Sequence, residues 1–549
     1  MLAAMGGRFS RLYFLVLLGA CSTTFDPQRC ALDSDCGDGL VCEASGAHAS
    51  CIDASEAPLI IGQSAPISGT NQALGTGMKL GIELAFSERN AAGGIRGRML
   101  ELAFRDDAYQ PELAEAAARS LVDAKETEAA PHCPTTTIPA VAGQSPISTK
   151  ALERGPNAVL AVLGNVGTPT MVRSAPVVIE TGTIFFGAFT GADSILRDDR
   201  AASCGSFIFN LRASYAQEAH ASAEYFKKKG VINYRHLISF DQNDSFGQAG
   251  YDGLVRAYEV VFGGFPSAAD ATNPIARFRY TRNDDSSVPA QVTRAEQYIQ
   301  ELLEADSSNH TVGVFMTDTY GAGAQFIEAL RRWQFDGQQS ILGKATRLRL
   351  HFSNVSFVGP NALADRLAAI GTVTTPTGPL PFTDSVIVSQ VVPNYQSDSS
   401  EVVVAYNRLI AAAGTAPSFT SLEGYIAARV FIAGLEAHKG PFTPGALVKT
   451  FESLPDLSFG LGAASGFSTS NHQYSSSVWG RASSPMARSR TSTSGAREPR
   501  SSSSNEETTD DHRTPRTRRS PDRDRPLPAP PRDRARRDGH RSSRAADRR

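Results

Sequence analysis

The chain has 549 residues, 41% hydrophobic and 20% charged, with a formal net charge of −2. That balance excludes a multispan membrane protein and a wholly disordered chain, and the length fits three to four average domains or one large two-lobed unit with additions. Residues 481–549 hold 19 Arg and 10 acids but no Lys, Phe, Tyr or Trp, while the first 480 residues carry a net −11. Without aromatic residues the terminal segment cannot bury a core and is a separate physical object.

At the N-terminus, Arg8 and Arg11 precede the apolar run Leu12 to Leu18 and a stretch of small residues. A run this short cannot span a bilayer and reads as a secretory signal over residues 1–20. The ending Leu18-Gly19-Ala20-Cys21 resembles a bacterial lipobox. The resemblance implies cleavage before Cys21, acylation of that residue, and lipid anchoring in the periplasm or cell envelope. The alternative is a plain secretory signal followed by a chance Cys.

Residues 21–57 form a Cys-rich stalk. Beyond Cys21 six cysteines remain, and Cys30, Cys36, Cys42 and Cys51 lie within 22 residues rich in Asp, Gly and Ser. No apolar period runs through them, so disulfides are expected to hold this segment; zinc is disfavoured because no C-x2-C pair occurs. Cys133 and Cys204 are left to form a third bridge between loops.

From Pro58 the pattern is strand, loop, helix, repeated. LIIGQSAPIS reads as a buried strand and polar loop, Met78 to Arg89 as a helix, and the Asn90 to Gly94 run as its stop. MLELAFRD is a strand, and Pro111 opens the helix PELAEAAARSLVDA. AVLAVLGN, TIFFGAFT, HLISFDQ, TVGVFMTD, NVSFVGP and SVIVSQVV continue the strands, with AQEAHASAEYFKKKG and GAQFIEALRRW among the helices. Residues 126–156 read as a long loop insertion. This alternation predicts an α/β protein of two doubly wound parallel-sheet lobes.

The stretch SAPISGTNQALGTGMKLGIELAFSERNAAGGIRGRMLELAFRDDAYQP resembles the opening of periplasmic binding proteins of the leucine/isoleucine/valine-binding type. GNVGTPT, FDQNDSFGQAG, FMTDTYGAGAQFIEALR and NVSFVGPNAL fit later landmarks in order, so the resemblance runs from about Pro58 to Trp479. It implies two lobes joined by a three-strand hinge, a small polar ligand in the cleft, often an amino acid, and delivery to an ABC permease. The implied division is 58–207 first lobe, 208–395 second lobe, 396–440 return to the first and 441–480 end of the second. No enzyme activity, cofactor, metal or nucleic acid is expected.

Ligands of open α/β sheets sit beyond the carboxyl ends of strands. The loops there offer Ser68, Leu74, Asn165, Gly167, Thr168, Ala188 and Thr190 from the first lobe, and Phe246, Asp318 and Tyr320 from the second. A helix start with hydroxyls and free N–H groups makes a carboxylate site without Arg. The resemblance assigns that role to Thr168, Ala188 and Thr190, puts Leu74 over the ligand side chain, and makes Phe246 and Tyr320 aromatic walls. Amino-acid binders of this type place an acidic residue near NVSFVGPNAL to pair the ammonium, where this chain has Pro360 and Asn361. Either Asp318 substitutes or the ligand lacks an ammonium group.

Gly75, Gly77 and Gly81, with Asp106 and Asp107 beyond, echo a dinucleotide fingerprint, but the spacing is G-x-G-x-x-x-G and a long loop separates the strand from the glycines. Two binding functions stand: a transport receptor, or a sensing lipoprotein using the same cleft. The Arg/Ser/Pro-rich tail 481–549 reads as a frameshifted product, a basic arm or an inert tail, in every case without packed structure.

Overall fold

The computed structural model describes residues 29–37, 40–45, 48–54, 57–133, 150–192, 204–267, 269, 275–305, 310–337, 348–455, 457 and 466–474. The signal segment, Cys21, Trp479 and the tail 481–549 lie outside them.

A small hairpin comes first, β1 (Leu40–Ser45) antiparallel to β2 (His48–Asp53). With almost no core of its own it is stapled by Cys30–Cys42 and Cys36–Cys51. These four sulfurs are bonded to one another, so no thiolate remains for zinc. The hairpin is seated on the body: Arg98 pairs with Glu43 and donates to the Ala57 carbonyl.

The first lobe is a five-stranded parallel sheet of β3 (Leu59–Ala65), β4 (Leu100–Asp106), β7 (Ala161–Leu163), β8 (Ile184–Phe186) and β9 (Ile208–Phe209), in the order β4-β3-β7-β8-β9. Alternation sends Ala161, Leu163, Ile184 and Phe186 to one face and Val162 and Phe185 to the other. On the second face lie α2 (Pro111–Leu121) and α3 (Thr168–Glu180). On the first lie α1 (Gln72–Ala91), α9 (Glu401–Ala412), α10 (Phe419–Ala437) and α11 (Pro444–Glu452). The ends of the 126–156 insertion are tied by the short pair β5 (Lys125–Glu126) and β6 (Leu152–Glu153), and by Cys133–Cys204.

The second lobe repeats the plan: β10 (Leu237–Gln242), β11 (Ala276–Tyr280), β12 (Thr311–Thr317), β13 (Arg349–Asn354) and β16 (Val386–Val388), all parallel, in the order β11-β10-β12-β13-β16. Its helices are α4 (Tyr215–Lys228), α5 (Ser245–Phe262), α6 (Val288–Ala305), α7 (Tyr320–Arg332) and α8 (Pro360–Ile370). The hairpin β14 (Thr372–Thr375) and β15 (Gly378–Pro381) is an addition. Ser214 and Gln217 close a reciprocal capping box that starts α4 where the chain enters this lobe.

Two expectations are corrected. NVSFVGP is not a strand: β13 ends at Asn354, and Ser356–Val358 turn as a 3-10 segment into Gly359, whose φ of 78° suits a residue without Cβ. The described part of 441–480 also lies elsewhere. Leu447, Val448, Phe451, Phe467 and Tyr474 pack into the first lobe's core beside Phe186 and Phe209, because α11 presents its apolar face to β8 and β9.

Candidate functional site

The loops that follow the strands of one lobe face those of the other. From the first lobe, Gly167 takes a φ of 101° and ends the loop after β7, and Thr168 begins α3. A Cβ on Gly167 would lie 2.3 Å from Tyr109 Cε2, so glycine lets the Tyr109 ring lie on the loop. The Thr168 and Thr190 hydroxyls are buried and 2.6 Å apart. They join the loops after β7 and β8 at the N-terminus of α3, where the first backbone N–H groups have no intrahelical acceptor. The wholly buried Tyr215 hydroxyl makes no well-formed hydrogen bond, although Thr190 and Gly191 lie beside it. Burial pushes its pKa up to about 12, so it stays a donor.

From the second lobe, Phe357 enters between Phe189 and Phe246, with ring centroids 5.1 and 4.6 Å away, and Tyr109 is 6.1 Å away. Leu74 meets the chain at Gly359, where an added Cβ would be 2.7 Å from Leu74 Cδ2. Polar contacts join the rims of the lobes: Tyr320 donates to the Thr70 carbonyl, Asn71 Nδ2 to Asn283 Oδ1 at 2.8 Å, and Gln242 Nε2 to the Tyr109 hydroxyl at 3.3 Å.

At the crossings between lobes, Arg212 lies between Glu218 of α4 at 3.3 Å and Glu423 of α10 at 3.4 Å. It also contacts the Ser356 hydroxyl and covers the Phe189 ring at 4.9 Å. Glu218 further accepts from the Ser356 N–H and from Ser389, on the return crossing. Burial raises the Glu423 carboxyl to about 7, against the pull of Arg212.

The expected residues divide. Leu74, Gly167, Thr168, Thr190, Phe246 and Tyr320 come together around the cleft. Ala188 contributes backbone to it, since its side chain packs with α2 and α3 in the opposite layer. Asn165 is one step back, donating to Ser174 at 2.9 Å. Ser68 is exposed and bonds Asp106, which orders its loop. Asp318 is turned into its own lobe, accepting from Asn354 at 2.6 Å and packing on Gly323, and burial raises its pKa far above the carboxylate range. Its other oxygen, Oδ2, is buried without a hydrogen-bond partner. Tyr109, Phe189, Arg212, Tyr215 and Phe357 were not among the expected residues. The signal for three of them, Tyr109, Phe189 and Phe357, was their place inside the motifs DDAYQP, GAFT and NVSFVGP; Arg212 and Tyr215 had none.

Comparison with known proteins agrees with this fold. A family model described as periplasmic binding protein matches residues 58–142 and 154–481. A Leu/Ile/Val-binding protein homolog 2 from Brucella abortus (strain 2308) is 39% identical over 56 residues, 10% of this chain and 15% of that protein. The crystal structure of a possible leucine/isoleucine/valine-binding protein from Rhodopirellula baltica SH 1 superposes with a TM-score of 0.58 at 28% identity, covering 78% of this chain and 94% of that one. A substrate-binding periplasmic protein from Ralstonia solanacearum gives 0.54 at 22% identity, covering 76% and 96%.

Proposed function

The chain belongs to the periplasmic binding protein family, and from that premise we propose that it is an extracytoplasmic solute-binding protein that captures a small carboxylate-bearing molecule between its lobes and presents it to an ABC permease. The observation that carries this reading is the Thr168–Thr190 hydroxyl pair at the start of α3, opposite the aromatic wall of Phe246, Phe357 and Tyr320. Helix-start N–H groups and hydroxyls hold an anion, and closure of the lobes removes it from water. The three disulfides support an oxidising compartment outside the cytoplasm.

The test is a thermal-shift screen of the full chain against small carboxylates, amides and amino acids. A ligand at about 100 times its Kd adds about 2.7 kcal/mol of stability. Thr190→Ala is expected to weaken the hit by about 1.5–3 kcal/mol, the range for a hydrogen bond to a charged group. An affinity unmoved by both Thr168→Ala and Thr190→Ala overturns the site. The membrane anchor is part of the same reading: Cys21→Ser is expected to abolish palmitate labelling and move the protein to the soluble fraction, and labelling that persists refutes the anchor.

A further inference from the structure

Tyr215 is the first residue of α4, where the chain enters the second lobe. Its ring is fixed from several sides. The N–H donates to the Gly191 carbonyl at 2.8 Å, and Gly191 admits the ring edge, since a Cβ there would lie 2.8 Å from Tyr215 Cδ1. Phe246 packs on the ring with centroids 5.3 Å apart, and the Arg212 guanidinium stands 5.9 Å from its centre. The hydroxyl at the far end of this fixed ring is wholly buried, lies beside Thr190 and makes no well-formed hydrogen bond. A buried hydroxyl without a partner costs stability, and phenylalanine would fill the same space without that cost.

The hydroxyls here hold more protons than they can use among themselves. Thr168 and Thr190 are 2.6 Å apart, so one proton lies between them. Thr190 Oγ1 also accepts the Ala192 N–H at 3.3 Å. If Thr168 is the donor, both lone pairs of Thr190 are taken; Thr190 can then donate on to Tyr215, whose own proton remains. If Thr190 is the donor, it can still accept from Tyr215, and the Thr168 proton remains. In the row Tyr215, Thr190, Thr168, three hydroxyls carry three protons for at most two contacts within the row. At least one O–H therefore needs an acceptor from outside. Burial pushes the Tyr215 pKa up to about 12, so that oxygen keeps its proton. The row meets the start of α3, whose first N–H groups have no intrahelical acceptor. All of these groups donate. A carboxylate oxygen accepts from several donors at once, whereas the NH2 end of a primary amide accepts from none.

We infer that Tyr215 is a ligand-binding residue of this cleft: its hydroxyl joins those of Thr168 and Thr190 in seating a carboxylate oxygen, and this added donor favours the carboxylate over the matching primary amide. The inference rests on the carboxylate-capture reading above and adds to it a residue from the second-lobe side of the crossing.

Titration calorimetry of the full chain tests it. The carboxylate probes are L-leucine, 4-methylpentanoate, L-phenylalanine and 3-phenylpropanoate, each paired with its own primary amide. At least one carboxylate is expected to bind and to be weakened about tenfold by Tyr215→Phe, the scale of a hydrogen bond to a charged group. Its amide is expected to lose less, and the unliganded variant to melt at the wild-type temperature or above it. Thr190→Val and Thr168→Val, each with a circular-dichroism melt to establish folding, report on the rest of the seat. A carboxylate weakened by Thr190→Val but unmoved by Tyr215→Phe overturns the role of Tyr215 and leaves carboxylate capture standing. Equal losses for acid and amide overturn it as well, and a lower melting temperature of the unliganded variant then identifies the role as structural. Absence of binding by all the carboxylates, or binding untouched by both threonine variants, overturns both readings.

Discussion

Asp107 shows how a single buried group sets a pH response. It sits at the end of β4 under the Tyr109 loop, accepting two hydrogen bonds, yet burial dominates and raises its pKa to about 7 from an ordinary value of 3.8. The native state therefore holds a proton that the unfolded chain has already lost, and folding stability falls as pH rises between about 4 and 7. Asp107→Asn keeps the shape and removes the proton. The variant is expected to gain on the wild type between pH 5 and pH 7 by about 1–3 kcal/mol, at up to roughly 1.4 kcal/mol per pH unit. Urea denaturation at the two pH values checks this, and a constant gap means that the native carboxyl is already ionised at pH 5. The same residue shows the limit of sequence reading. Asp106 and Asp107 are adjacent and chemically alike, but one faces Ile67, Ser68 and Ala108 at the surface with its pKa lowered, and the other points inward. Strand alternation allows that split; only the packing of Tyr109 and Ser64 decides which of the two is inside.

At the level of elements, the glycines of α1 explain the motif that echoed a dinucleotide fingerprint. A Cβ on Gly75 would lie 1.8 Å from the Pro66 carbonyl oxygen, and one on Gly81 would lie 2.0 Å from that of Ser421 in α10. Gly424 returns the contact, since its Cβ would lie 2.4 Å from the Met78 oxygen. Gly81 and Gly424 thus bring two helices to backbone contact, and Gly75 admits the loop at Pro66, rather than any of them admitting a phosphate. Gly81→Ala is expected to lose about 1–3 kcal/mol by overpacking. Gly445→Ala, in the first turn of α11 with nothing within 4 Å of the added methyl, is expected to be neutral or to gain about 0.4–1 kcal/mol. Denaturant midpoints of both variants test the pair, and equal effects refute the helix-contact account. The strands and helices of both lobes were legible from LIIGQSA, TVGVFMT and their neighbours because period and punctuation are local. The lobe that owns α11 was not legible, because Leu447 and Phe451 read as an amphipathic face whichever core receives them. Phe357 was hidden in the same way: in SFV it read as strand core and became the wedge across the cleft.

For the whole molecule, closure of the lobes rests on a few polar rim contacts and on Phe357. Asn283→Ala combined with Tyr320→Phe removes the Asn71–Asn283 bond and the Tyr320–Thr70 bond. At about 0.5–1.5 kcal/mol each, the double variant is expected to shift the equilibrium toward open lobes by roughly tenfold, with a larger radius of gyration by small-angle X-ray scattering. An unchanged radius places the closing energy in the aromatic contacts instead. Most of this arrangement followed from the family resemblance and little from composition, since contacts between Asn71 and Asn283 join positions that no local pattern connects. The seating of the disulfide hairpin carries a mechanical consequence. Among the described residues it grips the first lobe: Glu43 on Arg98, and the Ala31 to Leu32 turn against Gly440, whose carbonyl is held by Arg96. The Arg96 guanidinium lies 3.9 Å above the Phe442 ring and stiffens that joint. Any load entering through the residues before Arg29 is therefore delivered to the first lobe as ground, and the second lobe, attached through the crossings at Arg212 and Ser389, is the arm free to swing. A pull on the leading segment is thus expected to pass into the first lobe rather than across the cleft.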